Sequence, residues 1–313
     1  MKLTLLFIVI ISFFSCQKKN APEIKPPVVD NCGGRYENEI FTSVKTSTDV
    51  AYGKALNISG VQENLYLDIY EPLNDTASKR PMVLFVHGGA WTDGTKMQGR
   101  DFCSFFAKRG YVTASIDYRL GIEMPLNEKT RGEAVYRGVQ DIKAAIRFAR
   151  ANALTIKIDT SQIFIGGYSA GATNAVHAAY WDEAEVPAYI DKSKWGNLEG
   201  SGGNSGYSTD VQALYSIAGS IVDINWMQMG EAPVVAVHSK TDNTVPYSNG
   251  IDGKGIQVHG GASIVQKATA LNIPSTLYTY ENIAHGAYLQ PANFLPTVTT
   301  VSNFFYAQLK CRQ

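Results

Sequence analysis

Short runs of β-branched and aromatic residues alternate along most of the chain with longer stretches in which apolar side chains recur every three or four positions. Residues 82–86, 112–116, 163–168, 211–217 and 234–238 are compact apolar runs of the kind found in strands buried on both faces, so they predict the centre of a parallel sheet. Residues 65–70 alternate with period two, as a further strand does. Between these runs, residues 133–153 bring Val135, Val139, Ile142, Ile146 and Ala149 onto one helical face. Residues 170–181 continue as a helix directly from a strand, and residues 261–271 repeat the helical period. Residues 276–280 give a last strand and 293–309 a closing helix. This alternation predicts an α/β architecture in one domain spanning about residues 36–313, a mostly parallel central sheet with helices on both faces.

One stretch departs from the pattern. Residues 182–210 carry Tyr189, Trp195 and Tyr207 among many Gly, Ser and Asn residues, with no sustained period. A loop of that length in a compact domain usually has a function, and α/β folds bind ligands at the C-terminal ends of their strands. The stretch is therefore expected to be a cap-like insertion beside a pocket. Asp182, Glu183, Glu185, Asp191, Lys192 and Lys194 interrupt any apolar face, which argues against a lid built to meet an oil surface.

The first residues follow a different logic. Lys2, an apolar run over residues 3–14 and Ser15-Cys16 read as a cleaved export signal over residues 1–15, with plain secretion or a retained anchor helix as alternatives. A small residue directly before cysteine resembles the lipobox of bacterial lipoproteins. That resemblance implies an acylated Cys16, a lipid anchor in the cell envelope, and a tether over residues 16–35 containing Pro22, Pro26 and Pro27. Export permits disulfides. Cys32 and Cys311 lie near opposite ends of the domain, where termini often meet, so they are expected either to bridge or to remain as two thiols. Cys103, between phenylalanines, reads as a core residue.

Composition then narrows the partners. With 313 residues and 45% apolar content, the chain can bury a sizeable core. Its 28 basic and 28 acidic residues cancel, leaving no basic field for a phosphate backbone, so nucleic acid is not an expected partner. The four cysteines form no C-x-x-C pair and no H-E-x-x-H occurs, so neither a metal nor a cofactor is expected.

Candidate chemistry sits at the strand ends. Gly167-Tyr168-Ser169-Ala170-Gly171 joins a strand to a helix, the setting of a nucleophile elbow, in which a serine on a sharp turn stands exposed between small neighbours. His87-Gly88-Gly89-Ala90-Trp91 follows the 82–86 strand, and its glycines can turn N–H groups toward a developing oxyanion. Together these motifs resemble the α/β-hydrolase superfamily, and within it the carboxylesterases with an H-G-G-x-W oxyanion loop, over most of residues 60–309. The resemblance implies N–H donors on Gly89 and Ala170, with Gly88 and Ala90 beside them, and a substrate-facing Trp91. Asp117-Tyr118-Arg119-Leu120 looks like the D-Y-R-L segment of hormone-sensitive-lipase-like esterases, with Asp117 and Arg119 read as structural.

In this fold the acid follows the serine and the base follows the acid. That order leaves His285 and His259 as bases. Asp242, in a loop resembling the family's G-x-x-D-x-x-V-P segment, is the preferred acid over Asp223 and Asp252. His285 follows the last strand, whereas His259 precedes a helix. The expected activity is hydrolysis of short-chain acyl esters by a Ser169–His285–Asp242 acyl-enzyme mechanism, on a small-molecule or glycan-linked substrate such as acetylated or feruloylated polysaccharide. A silent binding protein and a small serine peptidase are the alternatives.

Overall fold

The computed structural model describes residues 32–312; the export signal, Cys16 and the first part of the tether lie outside the described residues. The chain runs through β1 (Val44–Leu56), β2 (Gln62–Pro72), β3 (Arg80–Val86), α1 (Arg100–Ala107), β4 (Val112–Ile116), α2 (Glu128–Ala151), β5 (Ile158–Tyr168), α3 (Ala170–Tyr180) and α4 (Lys192–Trp195). It continues with β6 (Ala213–Ile217), β7 (Ser220–Ile221), β8 (Val234–Ser239), β9 (Asn249–Ile251), β10 (Gln257–Gly260), α5 (Gly261–Ala270), β11 (Ser275–Tyr280) and α6 (Pro291–Gln308). Eight strands form one sheet in the order β1-β2-β4-β3-β5-β6-β8-β11, in which β2 is antiparallel to both neighbours and the strands from β4 to β11 are parallel. A small antiparallel sheet, β7-β10-β9, stands beside it.

Alternation along each central strand divides the apolar residues between two layers. Met82, Leu84 and Val86 of β3 face Val139, Ile142 and Ile146 of α2, Val176 of α3 and Ile264 of α5. Val83 and Phe85 face Phe102 and Phe106 of α1 and Val301 and Phe305 of α6. Burying one such side chain contributes about 1.5–3 kcal/mol, so these two layers are the main stabilising term. The sheet's two faces are therefore both covered, as the continuous apolar runs require.

The differences from the sequence reading have local causes. Helix α2 begins at Glu128, because Asn127 and Thr130 cap it reciprocally and its polar first turn adds nothing to the apolar period. Strand β1 is largely exposed and polar at the sheet edge, so it carries no apolar signature. The cap-like placement of residues 182–210 is corrected. The segment lies along the outside of α2, where Gln140 Nε2 donates to the carbonyls of Trp195 and Asn197 at 2.8 and 2.7 Å and Arg147 Nη1 to that of Glu199 at 2.8 Å. Trp195 is buried under the Arg137 guanidinium, 4.6 Å from its ring centroid. Polar side chains of α2 thus satisfy carbonyls of a largely irregular backbone.

Cys32 and Cys311 are joined in a disulfide with a Cα–Cα distance of 5.2 Å, across 279 residues of sequence. Beside it, Arg35 pairs with Asp75 at 2.7 Å and Tyr36 N–H donates to the Arg109 carbonyl, so the N-terminal segment is pinned to the turn after α1. Cys103 is free and buried. A cross-link closing so long a loop restricts the unfolded chain, and Cys311→Ser should lower the unfolding free energy by about 2–4 kcal/mol. Urea titration under oxidising conditions checks this; an unchanged midpoint would show that the bond adds no stability.

Candidate active site

Everything in the site begins where β5 turns into α3. Ser169 caps the helix at φ +56° and ψ −120°, a backbone conformation that costs a non-glycine residue on the order of 1–3 kcal/mol. The turn is held because Ser169 N–H donates to the Ile217 carbonyl of β6 at 2.9 Å while its own carbonyl accepts from Thr173 at 2.9 Å. The flanking glycines are there for space. A Cβ on Gly167 would lie 2.3 Å, and one on Gly171 2.1 Å, from the Val86 carbonyl oxygen at the end of β3.

Ser169 Oγ donates to His285 Nε2 at 2.7 Å, and His285 Nδ1 donates to Asp242 Oδ2 at 2.8 Å. The acceptor-only carboxylate on Nδ1 fixes the tautomer, leaving Nε2 free to take a proton. The structure thus brings together Ser169, Asp242 and His285. His259 lies in β10, hydrogen-bonded between β7 and β9, and Asp223 caps the turn Ile224–Trp226. Asp252 pairs with Arg131 at 2.9 Å.

Asp242 is buried, yet its carboxyl is held below the ordinary range. Burial alone would raise it, but the His285 hydrogen bond and the N–H groups of Val245 and Thr244, at 3.0 and 2.9 Å, outweigh that. Tyr288 is a fourth donor to the carboxylate, reaching Oδ2 at 2.9 Å, and accepts from Ser239 N–H at 2.8 Å. Tyr168, the variable residue of the elbow, donates its hydroxyl to the His285 carbonyl at 2.6 Å and stacks on the imidazole at 5.5 Å. Burial, with the Asp242 charge second, pushes this phenol up to about 12, so it stays a donor. Neither tyrosine is singled out by the sequence, although Tyr168 sits inside the elbow motif.

The oxyanion loop requires one correction. Gly88 N–H donates to Gln98 Oε1 at 3.2 Å, so it is spent inside the protein and is not a donor to substrate. Among the described residues, the N–H groups of Gly89, Ala90 and Ala170 have no protein acceptor. Gly89, Ala90 and Trp91 all have positive φ, at +117°, +52° and +61°, and the Gly89 carbonyl accepts from both Thr92 and Asp93. A Cβ on Gly89 would lie 1.9 Å from the Asp93 carbonyl oxygen, which is why the loop needs glycine there. His87 stacks on Tyr118 at 4.4 Å and its ring donates to the Gly88 carbonyl at 2.7 Å. Asp117 accepts from Lys96 N–H at 2.7 Å and Arg119 pairs with Asp141 at 2.7 Å; both are structural, as the sequence suggests.

Beside Ser169 lies a cavity of about 70 Å³. Ala90 and Trp91 of the oxyanion loop, Ala170 and Thr173 of α3, and Arg131 of α2 border it, and the turn Asp252-Gly253-Lys254 closes it. Trp91 is buried and fixed through its Nε1–H to Asn174 Oδ1 at 2.7 Å, so it forms a wall and not a mobile contact. No residue of 182–210 borders the cavity.

A parallel sheet with this strand order and a sharp strand-to-helix turn at the end of β5 is the α/β-hydrolase fold, and solved structures share it. Thermogutta terrifontis esterase 2 in its butyrate-bound form superposes with a TM-score of 0.64 at 20% identity, over 85% of this chain and 95% of that one. The tabun-modified form of the same esterase gives 0.62 at 21% identity over 83% and 94%. Within that class, residues 67–199 match the BD-FAE family model. Esterase LipC of Mycobacterium tuberculosis is 35% identical over 106 residues, covering 34% of this chain and 24% of LipC. Gut esterase 1 of Caenorhabditis elegans is 34% identical over 115 residues, covering 36% and 20%. A probable isoprenylcysteine alpha-carbonyl methylesterase of Oryza sativa subsp. japonica is 32% identical over 172 residues, covering 50% and 36%. The matched part of the chain thus spans a fifth to about a third of the length of these curated relatives.

The other buried histidines carry a consequence for stability. His177, packed edge-on against Trp181 and Trp226, is pushed down to about 3 by burial, against the pull of its hydrogen bond to the Thr173 carbonyl. Its folded value lies below the unfolded one, so between these values the unfolded chain binds more protons and stability is lost as pH falls below about 6.5. His177→Phe should remove about 1.4 kcal/mol per pH unit of that slope between pH 4 and 6. Urea titrations at several pH values read the difference; parallel curves for the two proteins would refute it.

Proposed function

We propose that the protein is a serine carboxylesterase that hydrolyses short-chain acyl esters through a Ser169 acyl-enzyme. The observation that carries this reading is the continuous hydrogen-bonded line from Ser169 Oγ through His285 to a buried, ionised Asp242, next to three uncommitted N–H groups. Ser169 Oγ attacks the ester carbonyl while His285 Nε2 takes its proton, and the N–H groups of Gly89 and Ala170, with Ala90 beside them, receive the oxyanion. His285 returns the proton to the leaving alcohol, and water then releases the acid by the same route reversed. Asp242 holds the ring and balances the imidazolium.

The two sides of Ser169 divide the substrate. The alcohol must leave within reach of His285, and the residues around that ring, Glu281, Asn282, Ala284 and Gly286, are exposed. That side accommodates a bulky alcohol such as a sugar within a glycan. His285 does not border the cavity, so the cavity takes the acyl group. At about 70 Å³ it is well below the roughly 300–1,000 Å³ of pockets that hold drug-sized ligands, which favours acetyl over feruloyl. Thermogutta terrifontis esterase 2, solved with butyrate and with propionate bound, is in keeping with small acyl groups.

Ser169→Ala should leave a folded protein whose ester hydrolysis is lowered by at least about 10³-fold, and Asp242→Asn one lowered by about 10⁴-fold. A serine-reactive phosphonate should label Ser169 alone; mass spectrometry placing the label on another serine would overturn the assignment. Export and lipidation belong to the same reading, supported by the Ser15-Cys16 motif and by the disulfide, a bond of oxidising compartments. Cys16→Ser is then expected to move the protein from the membrane fraction to the soluble one. Finding the wild-type protein unacylated would remove the anchor from the proposal.

A further inference from the structure

A buried ion pair lines the cavity beside Ser169. Arg131, in the first turn of α2, reaches Asp252 Oδ2 through Nη2 at 2.9 Å, with side chains 2% and 6% exposed. The guanidinium also lies 5.0 Å from the centroid of the Trp91 ring. Asp252 comes from the turn between β9 and β10, and its other oxygen accepts from the N–H groups of Lys254 and Ile256 at 2.9 and 3.0 Å. Gly253 N–H donates to the Thr244 carbonyl at 2.7 Å, tying the turn to the segment that carries Asp242. An ion pair in this setting is a poor device for stability, since apolar side chains of the same volume usually serve as well or better. Here it is not even complete, because Arg131 Nε is buried with no hydrogen-bond partner among the described residues. What the pair does is join α2 to the turn between β9 and β10, with both residues lining the space beside Ser169.

We infer that the Arg131–Asp252 pair is the end wall of the acyl pocket and the determinant of acyl length, an inference that rests on the esterase reading above. The wall works by excluded volume. An acyl chain long enough to reach the pair must displace a side chain held by opposite charge, by its aromatic neighbour and by the hydrogen-bonded turn. Shape differences of one methylene in an apolar pocket discriminate by about 10–200-fold, enough to set a sharp limit after two or three carbons.

The experiment compares kcat/KM for 4-nitrophenyl acetate, butyrate, hexanoate and hemisuccinate. The wild-type protein should favour acetate over hexanoate by at least about tenfold. Arg131→Ala/Asp252→Ala should lower that ratio by about tenfold or invert it. Arg131→Met/Asp252→Asn keeps nearly the same volume and the turn's hydrogen bonds without charge and should keep the acetate preference. If the double alanine protein does not fold, as judged by its thermal melt, Arg131→Val/Asp252→Asn opens one side of the wall while keeping the turn's hydrogen bonds and reads the same ratio. A folded, opened variant with the wild-type ratio would overturn the inference, as would a wild-type protein that prefers hemisuccinate to butyrate, for then the guanidinium binds the acyl end and does not block it. Failure of the esterase reading looks different: no ester is hydrolysed and the phosphonate does not label Ser169, whichever residues stand at 131 and 252.

Discussion

The constraint on which the site depends is a close approach of three backbones. The end of β3, the end of β5 and the start of α3 meet at the Val86 carbonyl, and the oxygen occupies the place that a side chain on Gly167 or Gly171 would need. Because they can pack there, the chain turns sharply enough to hold Ser169 at positive φ, with its hydroxyl out and its neighbour's N–H unspent. The oxyanion loop starts one residue after Val86, on the same strand. The Ser169 turn and the glycine loop are therefore registered to each other through the pairing of β3 with β5, in which Val86 lies opposite Gly167. A side chain at either glycine would push these two parts of the site away from each other.

A second set of contacts keeps the acid charged where water is scarce. The loop after β8 is threaded by His238, buried and neutral, whose Nε2–H donates to the Val245 carbonyl while Nδ1 accepts from Gly261 N–H. This fixes the segment from which Thr244 and Val245 direct their N–H groups at Asp242. Tyr288 ties the same carboxylate to the end of β8. The result is an electrostatic cradle assembled from neutral parts, in which backbone dipoles and phenols do what a cation would otherwise have to do.

How much of this the sequence disclosed depends on what each feature needs. The central strands were legible because burial on both faces leaves no room for polar residues. The positions of Ser169, Asp242 and His285 were legible because a fixed chain order and short motifs constrain them. Strand β1 was not, since a polar edge strand has no apolar pattern to read. The placement of residues 182–210 was misjudged for a related reason: what holds them is Gln140 and Arg147 on α2, polar residues whose partners are backbone carbonyls far along the chain. Gly88 was misplaced as a donor because its partner, Gln98, is ten residues away with no motif to mark it. The cavity wall was beyond reach for the same cause, as Arg131 and Asp252 meet only once the fold has formed.

The disulfide makes the folded domain a closed covalent ring from Cys32 to Cys311. Cutting a linear chain once gives two molecules; cutting a ring once gives one. A protease that nicks an exposed stretch such as that around Tyr207 would leave Ser169 on one side of the break and Asp242 and His285 on the other, still joined through the bridge and still packed through the sheet. Where proteases are present, this topology uncouples survival from an unbroken backbone, and two cuts are required before any part of the site can diffuse away.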